Sequence, residues 1–204
     1  MNAGGCGAPS LLLFDLGGVL LENATFDRLN RLLPAPMETA ALKDRWLASP
    51  AVRRFELGET APGEFAETFL AEWRIQLTPH EFLEEFVSWP QGLHPEALAA
   101  LPVLRRRYRV ACLSNCNVLH WQRFGGFGGH FDLALSSHRL GAIKPDDEAF
   151  LRALGACQAE PSSVWFFDDS IRNVHAAARL GIRAFHVDGI SPLLHVLRAE
   201  RLLP

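Results

Sequence analysis

A short and strongly apolar stretch, Leu11–Phe14, lies near the start of the chain and leads directly into Asp15, with Gly17 and Gly18 close behind. An apolar run that stops in a glycine turn is typical of a central strand that is buried on both faces of a sheet. In open α/β sheets, ligands bind outside the carboxyl ends of the strands, which is where Asp15 would stand. From this position alone, Asp15 could serve as a nucleophile, as a metal ligand or as a cap of the turn.

Short apolar runs alternate with helix-like segments over most of the chain that follows. This alternation predicts a parallel sheet with helices on both faces, as in Rossmann-like α/β folds. The predicted strands after the first are residues 109–113, 133–136, 164–167 and 183–187.

Residues 22–88 interrupt this alternation. They are rich in Leu, Phe, Trp, Glu and Arg, and their aromatic residues recur at intervals of three and four, which is the spacing of a helix face. We therefore predict an α/β core formed by residues 1–20 and 90–204, with an all-helical cap domain, residues 21–89, inserted after the first strand. Prolines divide this insert into predicted helices at roughly 24–33, 37–47, 62–74 and 79–88.

The composition excludes several classes of protein. The 204 residues include 20 basic and 23 acidic side chains, and the net charge of −3 gives no electrostatic footprint for nucleic acid. No apolar run approaches the length of a membrane span, and residues 1–10 lack the apolar segment of a signal peptide. The cysteines are scattered without metal-ligand spacing, which indicates free thiols in a reducing compartment. We expect a cytoplasmic protein with no membrane or nucleic-acid partner. The cysteines are Cys6, Cys112, Cys116 and Cys157.

Polar residues follow the predicted strands at the points where these strands end. Because the carboxyl ends of parallel strands share one edge of a sheet, their side chains can converge. Three carboxylates would supply the hard oxygen ligands that Mg²⁺ prefers, and a lysine, a hydroxyl and backbone amides would hold phosphoryl oxygens. An aspartate can also attack phosphorus and form an aspartyl-phosphate. The residues are Asp15, Ser114, Asn115, Lys144, Asp168 and Asp169.

Four motifs built on these residues resemble those of the haloacid dehalogenase-like (HAD) superfamily in order and in spacing. The resemblance covers nearly the whole chain, and the helical insert is similar to one type of HAD cap domain. Within the superfamily, the chain most resembles the branch of bacterial glucose-1-phosphate phosphatases and the phosphatase-like domain of soluble epoxide hydrolase. The motifs are Phe14-Asp15-Leu16-Gly17-Gly18-Val19, Leu113-Ser114-Asn115, Gly141-Ala142-Ile143-Lys144-Pro145, and Phe166-Phe167-Asp168-Asp169-Ser170 with Asn173.

The resemblance implies an enzyme, namely a Mg²⁺-dependent phosphatase that hydrolyses a small phosphate ester through an aspartyl-phosphate. The expected substrate is a small phosphometabolite such as a sugar phosphate. Asp15 would attack the phosphorus, and Lys144 would neutralise charge between this nucleophile and the phosphate. Ser114 and the backbone amide of Asn115, together with Lys144, would bind the phosphoryl oxygens.

The resemblance also implies the ligands of the magnesium ion. Asp15 and Asp169 would coordinate the ion directly, and Asp168 would lie nearby or act through a water molecule. The backbone carbonyl of Gly17 would complete the metal site.

Gly17 departs from the family pattern. Most HAD phosphatases have a second aspartate at this position, which acts as general acid and base, and losing such a group typically costs ~10²–10⁴-fold in rate. Asp15 itself needs no activation, because a carboxylate is ordinarily ionised at pH 7. We therefore expect a preference for substrates with good leaving groups, such as an anomeric sugar phosphate, unless another residue supplies the acid. Glu22 and His120 are the candidates for that role.

Two other functions stay open. A 2-haloacid dehalogenase also lacks the second aspartate and uses no metal, but it does not need the acidic pair Asp168-Asp169. A non-catalytic HAD-fold binding or regulatory module would bind Mg²⁺ without turning over a phosphate ester. The sequence does not identify the substrate or the oligomeric state. The insert residues that could line the space around a leaving group are Trp46, Arg53, Arg54 and Phe55.

Overall fold

The computed structural model describes residues 8–204. Residues 1–7, which include Cys6 and the start of the predicted core, lie outside this range, while Cys112, Cys116 and Cys157 are free thiols. No helix in the described range is both long and apolar enough to cross a bilayer. The strands are β1 (Leu11–Phe14), β2 (Leu21–Asn23), β3 (Pro90–Leu93), β4 (Arg109–Ser114), β5 (Leu133–Ser136), β6 (Val164–Asp168) and β7 (Arg183–His186).

Helices occupy most of the remaining described chain. Two short 3₁₀ turns, Gly125–Phe127 and Pro161–Ser163, lie between them. The α-helices are α1 (Thr25–Leu32), α2 (Thr39–Ala48), α3 (Pro50–Glu56), α4 (Pro62–Trp73), α5 (Pro79–Val87), α6 (Pro95–Arg105), α7 (Val118–Arg123), α8 (Ser137–Leu140), α9 (Asp147–Cys157), α10 (Ile171–Arg179) and α11 (Ile190–Ala199).

The predicted parallel sheet is confirmed. Five strands form it in the order β5-β4-β1-β6-β7, and every neighbouring pair is parallel. Strand β1 is central, and its side chains alternate between the two faces. Leu12 and Phe14 belong to one apolar core with α6 and α11, whereas Leu11 and Leu13 belong to a second core with α9 and α10. The uninterrupted apolar run of β1 is thus explained by burial on both faces.

The segment between β2 and β3, here called the helical insert, is built from α1–α5 around an apolar core of its own. Phe65, Phe69 and Trp73 recur every fourth residue along α4, and all three are buried in this core, as their spacing predicts. The sequence predicts four helices here, but the structure has five. The additional helix is α3, which starts at Pro50; the prediction takes this proline as a break between helices, whereas proline is well tolerated in the first turn of a helix.

The base of the helical insert is a two-stranded antiparallel ribbon. Strand β2 enters the insert and β3 leaves it, and Leu21 pairs with Leu93 across the ribbon. Residues 89–95 contain two prolines and a glycine, a composition that favours a turn over a strand. Pro90 is compatible with a strand at this point, since it is the first residue of β3 and since β3 has β2 as its single neighbour, so that its other edge is unpaired.

Candidate active site

The carboxyl edge of the sheet brings the predicted site residues together. Strands β4 and β6 flank β1, so Ser114 and Asp168, the last residues of β4 and β6, lie on either side of Asp15. The backbone N–H of Asp15 donates to the carbonyl of Phe167 at 2.9 Å, which continues the β1–β6 ladder by one residue. The side chains of Asp15 and Asp168 are therefore held at neighbouring strand ends.

Lys144 lies between two of the carboxylates. Its Nζ is 2.9 Å from Asp15 Oδ1 and 2.7 Å from Asp168 Oδ2, and its side chain is 1% exposed. Burial alone would lower the pKa of Lys144, but the charges of Asp15 and Asp168 outweigh burial and raise that pKa. The lysine is therefore a permanent cation at the centre of the site.

Asn115 holds the backbone of Lys144 in place. Its Oδ1 accepts from the N–H of Lys144 at 2.9 Å, and its Nδ2 donates to the carbonyl of Lys144 at 2.9 Å. Sequence reasoning assigned a role to the backbone amide of Asn115 but missed this role of the side chain. The two residues are 29 positions apart, so no local pattern in the sequence indicates the contact.

Asp168 and Asp169 are adjacent but have different surroundings. Asp168 is saturated with donors, because it accepts from the Ser170 N–H at 2.8 Å and from Asn173 Nδ2 at 2.9 and 3.1 Å, in addition to Lys144. No hydrogen bond to the carboxylate of Asp169 is present within residues 8–204. Of the pair, Asp169 is therefore the residue whose carboxylate is available to a ligand.

Gly18 makes room for Asp169. It has a positive φ of 77°, and a Cβ atom placed there would lie 2.5 Å from Asp169 Oδ2. Any larger residue would displace this carboxylate, so Gly18 is needed both for its conformation and for its small size. The positive φ falls on Gly18 and not on Gly17, so an aspartate at position 17 would not require a left-handed backbone.

The three aspartates fit a divalent cation. Oxygen atoms of Asp15, Asp168 and Asp169 all lie within 4.8 Å of one another. Three carboxylates against the single ammonium of Lys144 leave an excess of two negative charges, which a divalent ion would neutralise. Hard oxygen donors of this kind suit Mg²⁺.

The ionisation of Asp15 differs from the expectation that it is simply ionised at pH 7. Burial, together with the charges of Asp168 and Asp169, raises the pKa of Asp15 to about 7 against the opposing effect of Lys144. Burial, together with the charge of Asp168, likewise raises the pKa of Asp169. A positive charge close to these carboxylates would favour their ionised forms.

Two cavities meet at Asn115. The smaller, of about 60 Å³, is lined by Gly17, Ser114 and His120 as well as Asn115. The larger, of about 140 Å³, lies between the helical insert and the five-stranded sheet with its flanking helices, here called the sheet domain. Its lining includes Lys144, Asn115, Glu56, Trp46, Arg53 and Arg172.

The four insert residues named from the sequence divide into two groups. Trp46 and Arg53 line the larger cavity. Phe55 does not, because it is buried in the core of the helical insert and stacks on Phe65 with ring centroids 4.1 Å apart. Arg54 is directed to the surface of the insert, where it pairs with Glu59 and Glu64.

The structure does not support Glu22 or His120 as the missing acid. Glu22 is exposed and lies 3.4 Å from Nδ1 of His94. Burial lowers the pKa of His120 to about 4, so its ring is neutral at pH 7. Its Nε2 lies 2.8 Å from the carbonyl of Phe86, and its Nδ1 accepts from the amide of Asn117, so its one ring proton is already donated to Phe86.

The fold and the site together define a class. The protein is a Rossmann-like α/β protein with a helical insert after its first strand, and it carries a lysine among three aspartates at the carboxyl edge of the sheet. The chain belongs to the haloacid dehalogenase-like hydrolase family, whose model matches residues 9–181. The resemblance seen in the motifs is thereby confirmed at the level of the superfamily, while the particular branch stays a prediction.

Comparison with individual proteins agrees with this assignment. The chain is 29% identical over 191 residues to Phosphatase MT3486 of Mycobacterium tuberculosis, covering 88% of this chain and 87% of that protein. It is 37% identical over 117 residues to phosphoserine phosphatase of Thermus thermophilus, covering 54% of this chain and 46% of that protein. A HAD family enzyme of Bacteroides thetaiotaomicron, solved as a magnesium complex, shares the fold with a TM-score of 0.77, 22% identity, and coverage of 94% and 100%.

Proposed function

We propose that this protein is a phosphatase that hydrolyses a small phosphate ester through an aspartyl-phosphate on Asp15. The observation that carries the proposal is the ion pair between Asp15 and Lys144, buried at the carboxyl end of the central strand beside two further carboxylates. A fixed cation at that point would offset the charge of a phosphoryl group as the carboxylate approaches it. Two relatives that carry the name phosphatase support the reaction class.

Several residues around Asp15 would bind the phosphoryl group. Ser114 and Asn115 line the same small cavity as Gly17, next to the end of β1. The hydroxyl of Ser114 and the backbone N–H of Asn115 would donate to phosphoryl oxygens, and Lys144 would supply the charge. The side chain of Asn115 would keep Lys144 in position through its two backbone hydrogen bonds.

The residues that would hold Mg²⁺ are Asp15, Asp169 and the backbone carbonyl of Gly17. Asp168 already accepts from Lys144, Asn173 and Ser170, so it would act through a water molecule or by positioning its neighbours. When bound, the ion would neutralise negative charge on the site and on the phosphoryl group. The Bacteroides enzyme of the same fold, solved as a magnesium complex, supports this choice of metal.

We expect turnover of phosphate esters to stop in excess chelator and to return when Mg²⁺ is added. The physical reason is the excess of two negative charges among the site residues, which repels a phosphate dianion until a cation compensates it. Mg²⁺ should also raise the melting temperature of the metal-free protein, since it binds the folded state alone.

The variant Asp169→Asn serves as the control and should lose both the activation and the thermal shift. Full activity in chelator would remove the metal from the mechanism. Halide release from a 2-haloacid under those conditions would support the dehalogenase alternative.

We also propose that residues 21–89, which comprise β2 and the helical insert, act as a cap over the site. The insert's separate apolar core and its narrow base, the β2–β3 ribbon, support movement as one unit. An ion pair of 2.5 Å joins Arg53 of the insert to Asp146 of the sheet domain beside the larger cavity. A cavity of about 140 Å³ would admit a small leaving group.

Replacing Arg53 by glutamine should weaken cap closure without destabilising the fold. Both partners of the ion pair are about half exposed, at 49% and 46%, and such pairs contribute roughly 0–1 kcal/mol to stability. We therefore expect a several-fold rise in KM and an almost unchanged melting temperature. Arg54→Gln is the matched control, because Arg54 pairs within the insert and should leave KM unchanged. Equal effects of the two substitutions would show that the ion pair to Asp146 has no special role.

A further inference from the structure

We propose that Glu56, the last residue of α3, is the general acid and base of this enzyme, in place of the second aspartate that most family members have where this chain has Gly17. The inference rests on the proposed phosphatase function and names the residue that would complete it. It differs from the expectation drawn from the sequence, in which Glu22 and His120 were the candidates.

The position of Glu56 is the first observation. It belongs to the helical insert, yet it lines the larger cavity together with Lys144 and Asn115 of the sheet domain. Lys144 forms an ion pair with Asp15 and lines the larger cavity together with Glu56. The nucleophile and Glu56 are therefore both neighbours of the same lysine. A group on the insert side of this cavity would face the leaving group of a phosphate ester whose phosphorus lies against Asp15.

The second observation is that the chain around Glu56 is fixed to the sheet domain. Its backbone carbonyl accepts from Ser137 Oγ at 2.5 Å, at the start of α8. Two residues later, Gly58 packs so closely on the sheet domain that an added Cβ would lie 2.7 Å from the carbonyl of His138. These contacts hold the end of α3 beside the site.

The third observation is that the Glu56 carboxyl has no ion-pair or hydrogen-bond partner among residues 8–204. The nearby cations on its own helix are engaged elsewhere, since Arg53 pairs with Asp146 and Arg54 pairs with Glu59 and Glu64. A carboxyl group that lines a cavity without a partner is free to exchange a proton with a bound molecule.

The protonation state fits the role of an acid. Burial and, to a smaller extent, the charge of Asp15 raise the pKa of Glu56 against the opposing effect of Lys144, to about 8. The other charged groups around the cavity are Arg53, Asp146 and Arg172. At pH 7 the neutral carboxyl predominates, so a proton is available, and it is lost as the pH rises through about 8.

The proposed reaction conserves atoms and charge. A carboxylate oxygen of Asp15 forms a bond to phosphorus while the bond from phosphorus to the leaving oxygen breaks, and that oxygen takes the proton of Glu56. Glu56, now a carboxylate, then removes a proton from the water that attacks the aspartyl-phosphate. The bond between phosphorus and Asp15 breaks, which releases inorganic phosphate and returns both side chains to their initial states.

The test is Glu56→Gln, assayed by pre-steady-state kinetics with Mg²⁺ and excess ethyl phosphate or 4-nitrophenyl phosphate. Ethoxide is a poor leaving group and needs the proton, so the first turnover of ethyl phosphate should slow by ~10²–10⁴-fold. Nitrophenolate leaves with little help, so its release should begin with a burst of about one equivalent and then become slow, because hydrolysis of the aspartyl-phosphate lacks its base. The alkaline decrease of kcat/KM for ethyl phosphate that the parent enzyme shows should disappear in the variant.

Glu59→Gln is the matched control, because Glu59 lies in the same part of the insert but pairs with Arg54. This substitution should leave the rate of hydrolysis of both esters unchanged. Adding Gly17→Asp to Glu56→Gln should restore turnover of ethyl phosphate, which a purely structural role of Glu56 would not allow.

If Glu56→Gln slows both esters equally in the first turnover, or slows neither, the inference is wrong. If the parent enzyme with Mg²⁺ hydrolyses neither ester, the proposed phosphatase function fails, and the inference fails with it. A melting curve identifies a variant that does not fold, and in that case Glu56→Asp, which keeps the acid on a shorter side chain, takes its place with an intermediate slowing of ethyl phosphate expected.

Discussion

Asp15→Asn is expected to abolish the turnover of every phosphate ester, by on the order of 10⁴-fold or more. Asparagine keeps the size of the side chain, but its neutral amide cannot attack phosphorus. The loss should be the same for alkyl and aryl esters, because the nucleophile is needed whatever the leaving group. This uniform loss distinguishes Asp15 from Glu56, whose replacement should affect the first turnover of alkyl esters far more.

The same substitution should not destabilise the metal-free protein. Burial raises the pKa of Asp15 above its ordinary value, so the folded state binds more protons than the unfolded state between about pH 4 and 7. The metal-free parent protein therefore loses stability as the pH rises through this range, and Asp15→Asn should remove that loss. Lys144 keeps Asp168 as a partner. Melting curves in chelator at pH 5 and pH 7.5 would measure the difference, and residual activity within tenfold of the parent enzyme would point to another nucleophile.

Lys144→Met is expected to give the largest loss of stability. Methionine is unbranched and only one atom shorter than lysine, but it leaves Asp15 and Asp168 without the buried cation that both contact. Removing one partner of a buried ion pair typically costs about 3–5 kcal/mol, because the remaining charge stays buried and uncompensated. Phosphatase activity should be lost as well, since no cation would remain between the nucleophile and the phosphate.

The loss of stability caused by Lys144→Met should depend on pH. In the variant, the two aspartates can become neutral by taking up protons, so the free energy of unfolding should fall less at pH 5 than at pH 8. Urea unfolding in chelator at both pH values would test this. The control is Lys43→Met, which removes the other lysine of the chain from an exposed position and should change stability by no more than roughly 0.5 kcal/mol. A loss that is independent of pH would contradict the role of Lys144 as partner of the aspartates.

The sheet and most of the candidate site could be predicted because both depend on local sequence. Strand β1 reads as four apolar residues followed by a carboxylate, and β6 reads the same way. Parallel strands end at one edge, so the convergence of Asp15, Ser114 and Asp168 follows once the strands are recognised. The motif around Lys144 predicts that this lysine lies near them. It does not predict the ion pairs that Lys144 forms with Asp15 and Asp168.

Glu56 could not be predicted, because its position depends on a short helix and on packing between distant segments. Helix α3 has seven residues, too few to show a periodic pattern, and it follows α2 almost without a break. Its start does carry a recognisable signal, because Ser49 accepts from the N–H of Val52 as an N-cap and Pro50 opens the first turn. Glu56 and Lys144 line the same cavity although they are 88 positions apart, and no local pattern encodes that placement.

The separate apolar core of the helical insert has a consequence for how such an enzyme can acquire a new substrate. Substitutions that reshape the interior of the insert affect the stability of the insert's own apolar core. They do not alter the two cores that hold β1 in place, because those cores belong to the sheet domain. Mutations on the insert side of the larger cavity can therefore accumulate while the nucleophile keeps its geometry. A change of substrate specificity therefore needs little loss of stability in the sheet domain. A change of reaction chemistry would instead require substitutions among the buried residues at the strand ends.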